Sequence, residues 1–148
     1  MRIIPLLLAA AAASRAEAPF GTWKVNPASS IAIISDRAPK AMTLRFEPHP
    51  KGEVFTVETI ESDGRAVTSS SILYLDDKPR ESANPGCSGT QSSRRRKDRS
   101  IEILCQCTTG EWIRIIRRLP SQPDRLVLEI TGQRANGRFD RRLVLERP

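Results

Sequence analysis

Met42-Thr43-Leu44-Arg45-Phe46-Glu47 alternates apolar and polar residues one for one. A period of two puts successive side chains on opposite faces of an extended chain, the pattern of a strand with one buried face. The same alternation runs through Ile101-Glu102-Ile103 and continues in phase to Cys105 and Cys107, and it recurs at Leu126, Leu128 and Ile130. Turn-forming clusters separate such runs, among them Pro48-His49-Pro50-Lys51-Gly52, Ser62-Asp63-Gly64, Asn84-Pro85-Gly86, Lys97-Asp98 and Asn136-Gly137. The spacing predicts about nine strands, near residues 20–25, 41–47, 53–61, 66–75, 87–95, 100–107, 111–118, 125–131 and 138–146. Short strands at even spacing indicate an antiparallel all-β domain. Closure into a barrel would remove exposed strand edges, which invite aggregation; a two-sheet sandwich fits the spacing as well. Residues 26–40 read as a connection around the apolar run Ile31–Ile34, with one short helical turn capped by Ser29 or Ser30.

The N-terminus has a different character. Arg2 precedes an apolar run, Ile3 to Ala13, broken only by Pro5 and too short to span a bilayer. Ser14-Arg15-Ala16 and Ala16-Glu17-Ala18 both place small residues at −3 and −1 of a cleavage site. The second would leave Pro19 at +1, which signal peptidases disfavour. The expectation is therefore a signal peptide over residues 1–16, with cleavage after Ala18 as the alternative, and one domain over 17–148 in a secreted or periplasmic protein. An uncleaved anchor is the competing reading of the same run. No later run has membrane-spanning length, so the domain is not expected to cross a membrane.

The 148 residues carry 24 Lys+Arg against 17 Asp+Glu, a formal charge of +7, which loss of Arg2 and Arg15 lowers to +5. A basic exported protein meets anionic surfaces such as phospholipid, lipopolysaccharide or acidic polysaccharide. Zinc-finger spacing, an aromatic-rich basic strand and a long basic helix are all missing from the sequence, so no nucleic-acid partner is expected.

Gly21-Thr22-Trp23-Lys24-Val25-Asn26 resembles the Gly-x-Trp opening of lipocalin-like proteins, and in particular the Gly-x-Trp-Lys-x-Asn start of a group of small secreted bacterial proteins of unassigned function. Weaker similarity runs on through Ala38-Pro39-Lys40, Phe46-Glu47-Pro48, the Tyr74–Lys78 segment, Arg94-Arg95 and the strand from Leu126 to Thr131. The resemblance implies a calycin-type β-barrel of about eight or nine strands and implies no reaction. In lipocalins the motif Trp lies at the closed end with a late-strand Arg packed over it. Trp23 matches the Trp, and Arg141, Arg142 and Arg147 are the candidates for the Arg. Parity favours Arg141, because Phe139, Leu143 and Leu145 share its face. Such a pair closes the barrel and binds nothing else.

Three cysteines follow the leader. In an oxidising compartment two should pair. Cys105 and Cys107 lie two apart on one strand, too far for a bond between them, so Cys87 is one partner. Reflecting Cys87 through the turn at Lys97-Asp98 lands near residues 107 to 109, which favours Cys87–Cys107 and leaves Cys105 free; a turn shifted by one or two residues would put Cys105 in the bond instead. The Cys-x-Cys spacing and a single distant His49 do not make a metal site. Asp76-Asp77 fits a turn and Glu58/Glu61 a strand's solvent face, and no serine stands in a Gly-x-Ser-x-Gly frame. Neither a catalytic site nor a cofactor is expected. Arg94-Arg95-Arg96-Lys97 is the densest charge and, with Arg114, Arg117 and Arg118, a candidate patch for an anionic partner, although adjacent strand residues point to opposite faces.

The leading reading is an exported, non-enzymatic barrel that binds a small apolar or amphipathic ligand. The alternative is an envelope interaction or inhibitor module that uses the Arg-rich hairpin against a protein or an anionic polymer or lipid. The leader has its own check: N-terminal sequencing of the exported protein should begin at Glu17, and recovery of Met1 in the membrane fraction would identify an anchor.

Overall fold

A computed structural model describes residues 19–27, 39–84, 86–120 and 122–148. The expected leader, and the helical turn at Ser29 or Ser30, lie outside the described residues. Ten antiparallel strands form one sheet: β1 (Gly21–Val25), β2 (Ala41–His49), β3 (Gly52–Ile60), β4 (Ala66–Leu73), β5 (Arg80–Asn84), β6 (Cys87–Arg95), β7 (Ile101–Cys107), β8 (Trp112–Arg117), β9 (Arg125–Arg134) and β10 (Gly137–Glu146). Their order is β4-β3-β2-β1-β10-β9-β8-β7-β6-β5, and the sheet curls until its two end strands approach each other. The result is a nearly closed barrel, not a sandwich.

The strand missing from the sequence-based expectation is β5, Arg80-Glu81-Ser82-Ala83-Asn84. It carries no alternating apolar residues, because its inward positions, Arg80, Ser82 and Asn84, are polar. Between β4 and β5 the ladder stops. Toward the closed end, the 74–79 connection stays tied to β6: the Asp77 amide donates to the Ser93 carbonyl at 2.8 Å and the Leu75 amide to the Ser93 hydroxyl at 2.9 Å. Further along, side chains span the seam. The Ser69 hydroxyl donates to Asn84 Oδ1 at 3.1 Å, and Gln91 Nε2 donates to the Ser71 hydroxyl at 3.3 Å.

The core fills one end of the barrel. Trp23, Leu44, Phe46, Phe55, Leu73, Ile101, Ile103, Leu126, Leu128 and Leu145 pack there as one cluster. They converge from the last residues of β2, β4 and β10 and the first residues of β3, β7 and β9, which all meet at this end. Phe46 and Phe55, directly paired across β2 and β3, stack with ring centroids 5.0 Å apart. Arg117 lies with its guanidinium carbon 4.6 Å from the centre of the Phe46 ring and forms a two-pronged ion pair with Glu53, at 2.6 and 3.0 Å. β3 and β8 are not neighbours in the sheet, so this pair crosses the interior from wall to wall. Both side chains are almost fully buried, at 4% and 6% exposure. Arg117 therefore belongs to the core and not to the basic surface patch in which its sequence neighbours had placed it.

The pair over Trp23 also differs from expectation. Trp23 is wholly buried and its indole N–H donates to the Pro19 carbonyl at 2.7 Å. The cation above it is Arg147, 4.1 Å from the ring centre, and not Arg141. Parity holds for both, but height does not. β1 and β10 pair Lys24 with Glu146 and Val25 with Leu145, so the next inward position, 147, falls opposite Trp23. Arg141 sits six residues up the strand, roughly 20 Å away at about 3.3 Å per residue. Gly21 makes room for the contact: a Cβ there would lie 2.8 Å from Arg147 Nη1.

Removing one member of a buried ion pair strands a charge, at a cost of about 3–5 kcal/mol, whereas replacing both by apolar groups of similar volume costs little. Urea denaturation should show R117M destabilised by about that amount and the double variant R117M/E53L recovering most of it.

Candidate functional site

Inward-facing residues differ sharply between the two ends. At the closed end the cluster around Trp23 is buried. Toward the other end Met42, Val57, Ile113, Ile115, Ile130 and Leu143 also face inward, as their cross-strand partners show, yet are only partly buried. Met42, Val57, Ile115 and Leu143 pack partly buried against the core, and the apolar surface they leave uncovered, with that of Ile113 and Ile130, faces the open interior of this half. It is the concave, largely apolar surface on which a small ligand can lie.

Polar groups enter that half from two directions. On one wall Phe139 pairs with Gly132, and its ring lies flat over the glycine; a Cβ at position 132 would sit 2.6 Å from the ring. Arg134 and Arg141 flank the ring, with guanidinium carbons 5.4 and 5.0 Å from its centre. Arg141 is half-buried, and its Nε is enclosed and without a hydrogen-bond partner among the described residues. Burial first, and the neighbouring Arg134 charge second, lower its pKa, although a guanidinium remains charged at working pH. No carboxylate among the described residues forms a salt bridge with Arg141 or Arg134.

On the facing wall the polar groups satisfy one another. Asn84 Nδ2 donates to the Ser82 hydroxyl at 2.7 Å and to Gln91 Oε1 at 3.3 Å, and the Cys105 thiol donates to the same Gln91 oxygen at 3.7 Å. These residues adjoin a cleft of about 290 Å³ along the β4–β5 seam, lined by serine hydroxyls and amides together with Tyr74 and the charged Lys78, Arg80 and Glu81. That chemistry suits water more than an apolar ligand.

The structure joins Cys87 to Cys107, leaving Cys105 as the free thiol among the described residues. The pair is diagonal: Gly89, not Cys87, stands opposite Cys107. Diagonal neighbours ordinarily lie about 7–8 Å apart, but here the Cα atoms are 5.0 Å apart. Gly89 permits the approach, since a Cβ at that position would meet the Gln106 carbonyl oxygen at 2.0 Å. The bond fits an oxidising compartment. Cys105 faces the interior beside it, and burial pushes its thiol pKa up.

The Arg94–Lys97 run does not form one patch. Arg94 lies on the outer wall, 2.6 Å from Glu102, which Arg114 also contacts at 2.8 Å. Arg95 ends β6 on the inward parity, and Arg96 and Lys97 occupy the turn beyond it. Arg118 reaches Asp98 and Glu129, both at 2.9 Å. His49 ends β2, partly exposed, and accepts the Lys51 amide at Nδ1. Among the described residues no group of three or more His, Cys, Asp or Glu could hold a metal ion. The interior pair Arg134 and Arg141 was not read as a site from sequence; a usable signal was the apolar-strand phase that places Arg141 between Phe139 and Leu143.

No protein-family model matches the chain. Nor does any curated protein match it in sequence. Among solved structures it is similar to the zebrafish ileal bile acid-binding protein in complex with cholic acid, at 13% identity, a TM-score of 0.54 and coverage of 87% of this chain and 98% of that one. A designed fluorescence-activating β-barrel matches at 17% identity and a TM-score of 0.43, over 87% of this chain and 93% of that one. The first likeness shows the barrel fold, and at this identity it shows the fold alone.

Non-reducing peptide mapping should recover the Cys87–Cys107 link, and its loss in C87S/C107S should cost about 3 kcal/mol in urea denaturation, as a loop of this length predicts. In the native protein iodoacetamide should label Cys105 alone, at a rate that keeps rising with pH beyond the range in which an exposed cysteine is already ionised.

Proposed function

We propose that this chain is an exported, non-catalytic binding protein whose open half takes a small amphipathic anion. The single observation that carries this reading is the Arg141 guanidinium: half-buried on the inward face beside Ile130 and Leu143, with its Nε unpaired and no acid ion-paired to it among the described residues. A buried charge without a counter-ion is costly, and a ligand carboxylate, sulfonate or phosphate on that guanidinium removes the cost. Arg134 at the rim adds a second positive charge. The ligand's apolar part lies against Ile113, Ile115, Ile130 and Leu143, where each buried CH₂ contributes about 0.8 kcal/mol. The bile acid-binding neighbour supports the reading only by its fold. The disulfide and the expected leader support secretion or a periplasmic location.

The test uses a fluorescent anionic reporter, anilinonaphthalene sulfonate, displaced by dodecanoate and separately by dodecanol. A hydrogen bond to a charged group contributes about 1.5–3 kcal/mol, so R141Q should weaken dodecanoate at least about tenfold and leave dodecanol nearly unchanged. Equal weakening of both, or none, would count against Arg141 as the anion site. No displacement by either would sink the binding reading.

A further inference from the structure

Phe20 and Leu119 are the exposed large hydrophobic side chains among the described residues, each 36% exposed. Both lie at the closed end, the end opposite the open half. They are linked through one surface. Arg147 Nη1 donates to the Phe20 carbonyl at 2.7 Å, and the Arg147 amide donates to the carbonyl of Asp124 at 3.2 Å, on the β8–β9 connection that carries Leu119. Arg118, next to Leu119, contacts Asp98 in the β6–β7 turn at 2.9 Å. The three segments that meet here, residues 95–99, 118–120 with 122–125, and 146–148, hold seven Lys and Arg against three acids. Two of those acids are already engaged, Asp98 by Arg118 and Glu146 by Arg125. Arg95 and Lys97 are exposed.

We infer that the closed end of the barrel docks on the surface of an anionic lipid bilayer, with Leu119 and Phe20 entering the headgroup boundary and Arg95 and Lys97 facing lipid phosphates. The charge excess alone would fit any polyanion. The two apolar side chains decide between partners: an acidic polysaccharide offers them only water, whereas the interfacial region of a bilayer takes up apolar groups beside basic ones. Docking by this end turns the mouth of the barrel away from the membrane, so a ligand can exchange with the aqueous space while the protein is bound. The inference stands apart from the ligand reading, since it uses none of the residues that line the open half.

The test is co-sedimentation of the exported protein with vesicles of phosphatidylcholine alone or mixed with phosphatidylglycerol, at low and high salt. Binding should require phosphatidylglycerol and weaken as salt screens the charges. Each basic side chain near an anionic surface is worth about fivefold in partition, so R95Q/K97Q should lower it about tenfold or more, and L119S should lower it several-fold. Unchanged far-ultraviolet circular dichroism and urea midpoint show that the variants are folded. Equal binding to pure phosphatidylcholine, or partition unchanged in both variants, overturns the inference. Vesicle binding that survives L119S and is matched by binding to dextran sulfate assigns the surface to polyanions in general and also overturns it.

Discussion

An arginine and a glutamate meet across the inside of the barrel, and the arrangement of the closed end follows from them. Arg117 comes from β8 and Glu53 from β3, strands on opposite walls. A charge pair of this kind contributes little net stability against an apolar equivalent, but it tolerates very few geometries. Its two parallel hydrogen bonds hold the two walls at one separation. The Phe46–Phe55 stack lies under the guanidinium, and the leucines and isoleucines of the core pack around it. Trp23, with Arg147 above it, seals the next position. Packed this way, the closed end can keep its shape while the other half stays open to solvent.

The all-β class was legible because the inward residues of strands such as β2, β7, β9 and β10 are apolar and alternate with polar ones, and strands with polar inward positions such as β6 were placed by the turn signals that bound them. β5 was not, for a reason tied to the site. Its inward residues are polar because they face the seam, where side chains replace the missing ladder. A pattern search built on hydrophobic alternation misses strands that line a polar gap. The disulfide was legible through hairpin register to within two residues, and the remaining offset is absorbed where Gly89 lets β7 close onto β6.

Charge was harder to read than hydrophobicity. Arginines that look alike in sequence divide into several roles. Arg117 is a core residue, Arg147 covers an indole, Arg94 and Arg114 share Glu102 on the outer wall, and Arg141 stands inside without a counter-ion among the described residues. Strand parity identifies the face that each occupies but not its height along the barrel, and height separates Arg147 from Arg141. A cation on an otherwise apolar inward phase is the signal that would have singled out Arg141, and it required knowing which strands stand opposite.

The seam between β4 and β5 gives the barrel the mechanics of a split collar. Every other junction between neighbouring strands is a backbone ladder, whose rupture exposes peptide groups at high cost. Here the circumference is held by the Ser69–Asn84 and Gln91–Ser71 contacts, with the collar's hinge at Asp77 and Ser93 near the packed end. Widening it breaks these side-chain hydrogen bonds, whose donors and acceptors can turn to water. At the seam, therefore, the circumference rests on serine and amide side chains and not on a backbone ladder.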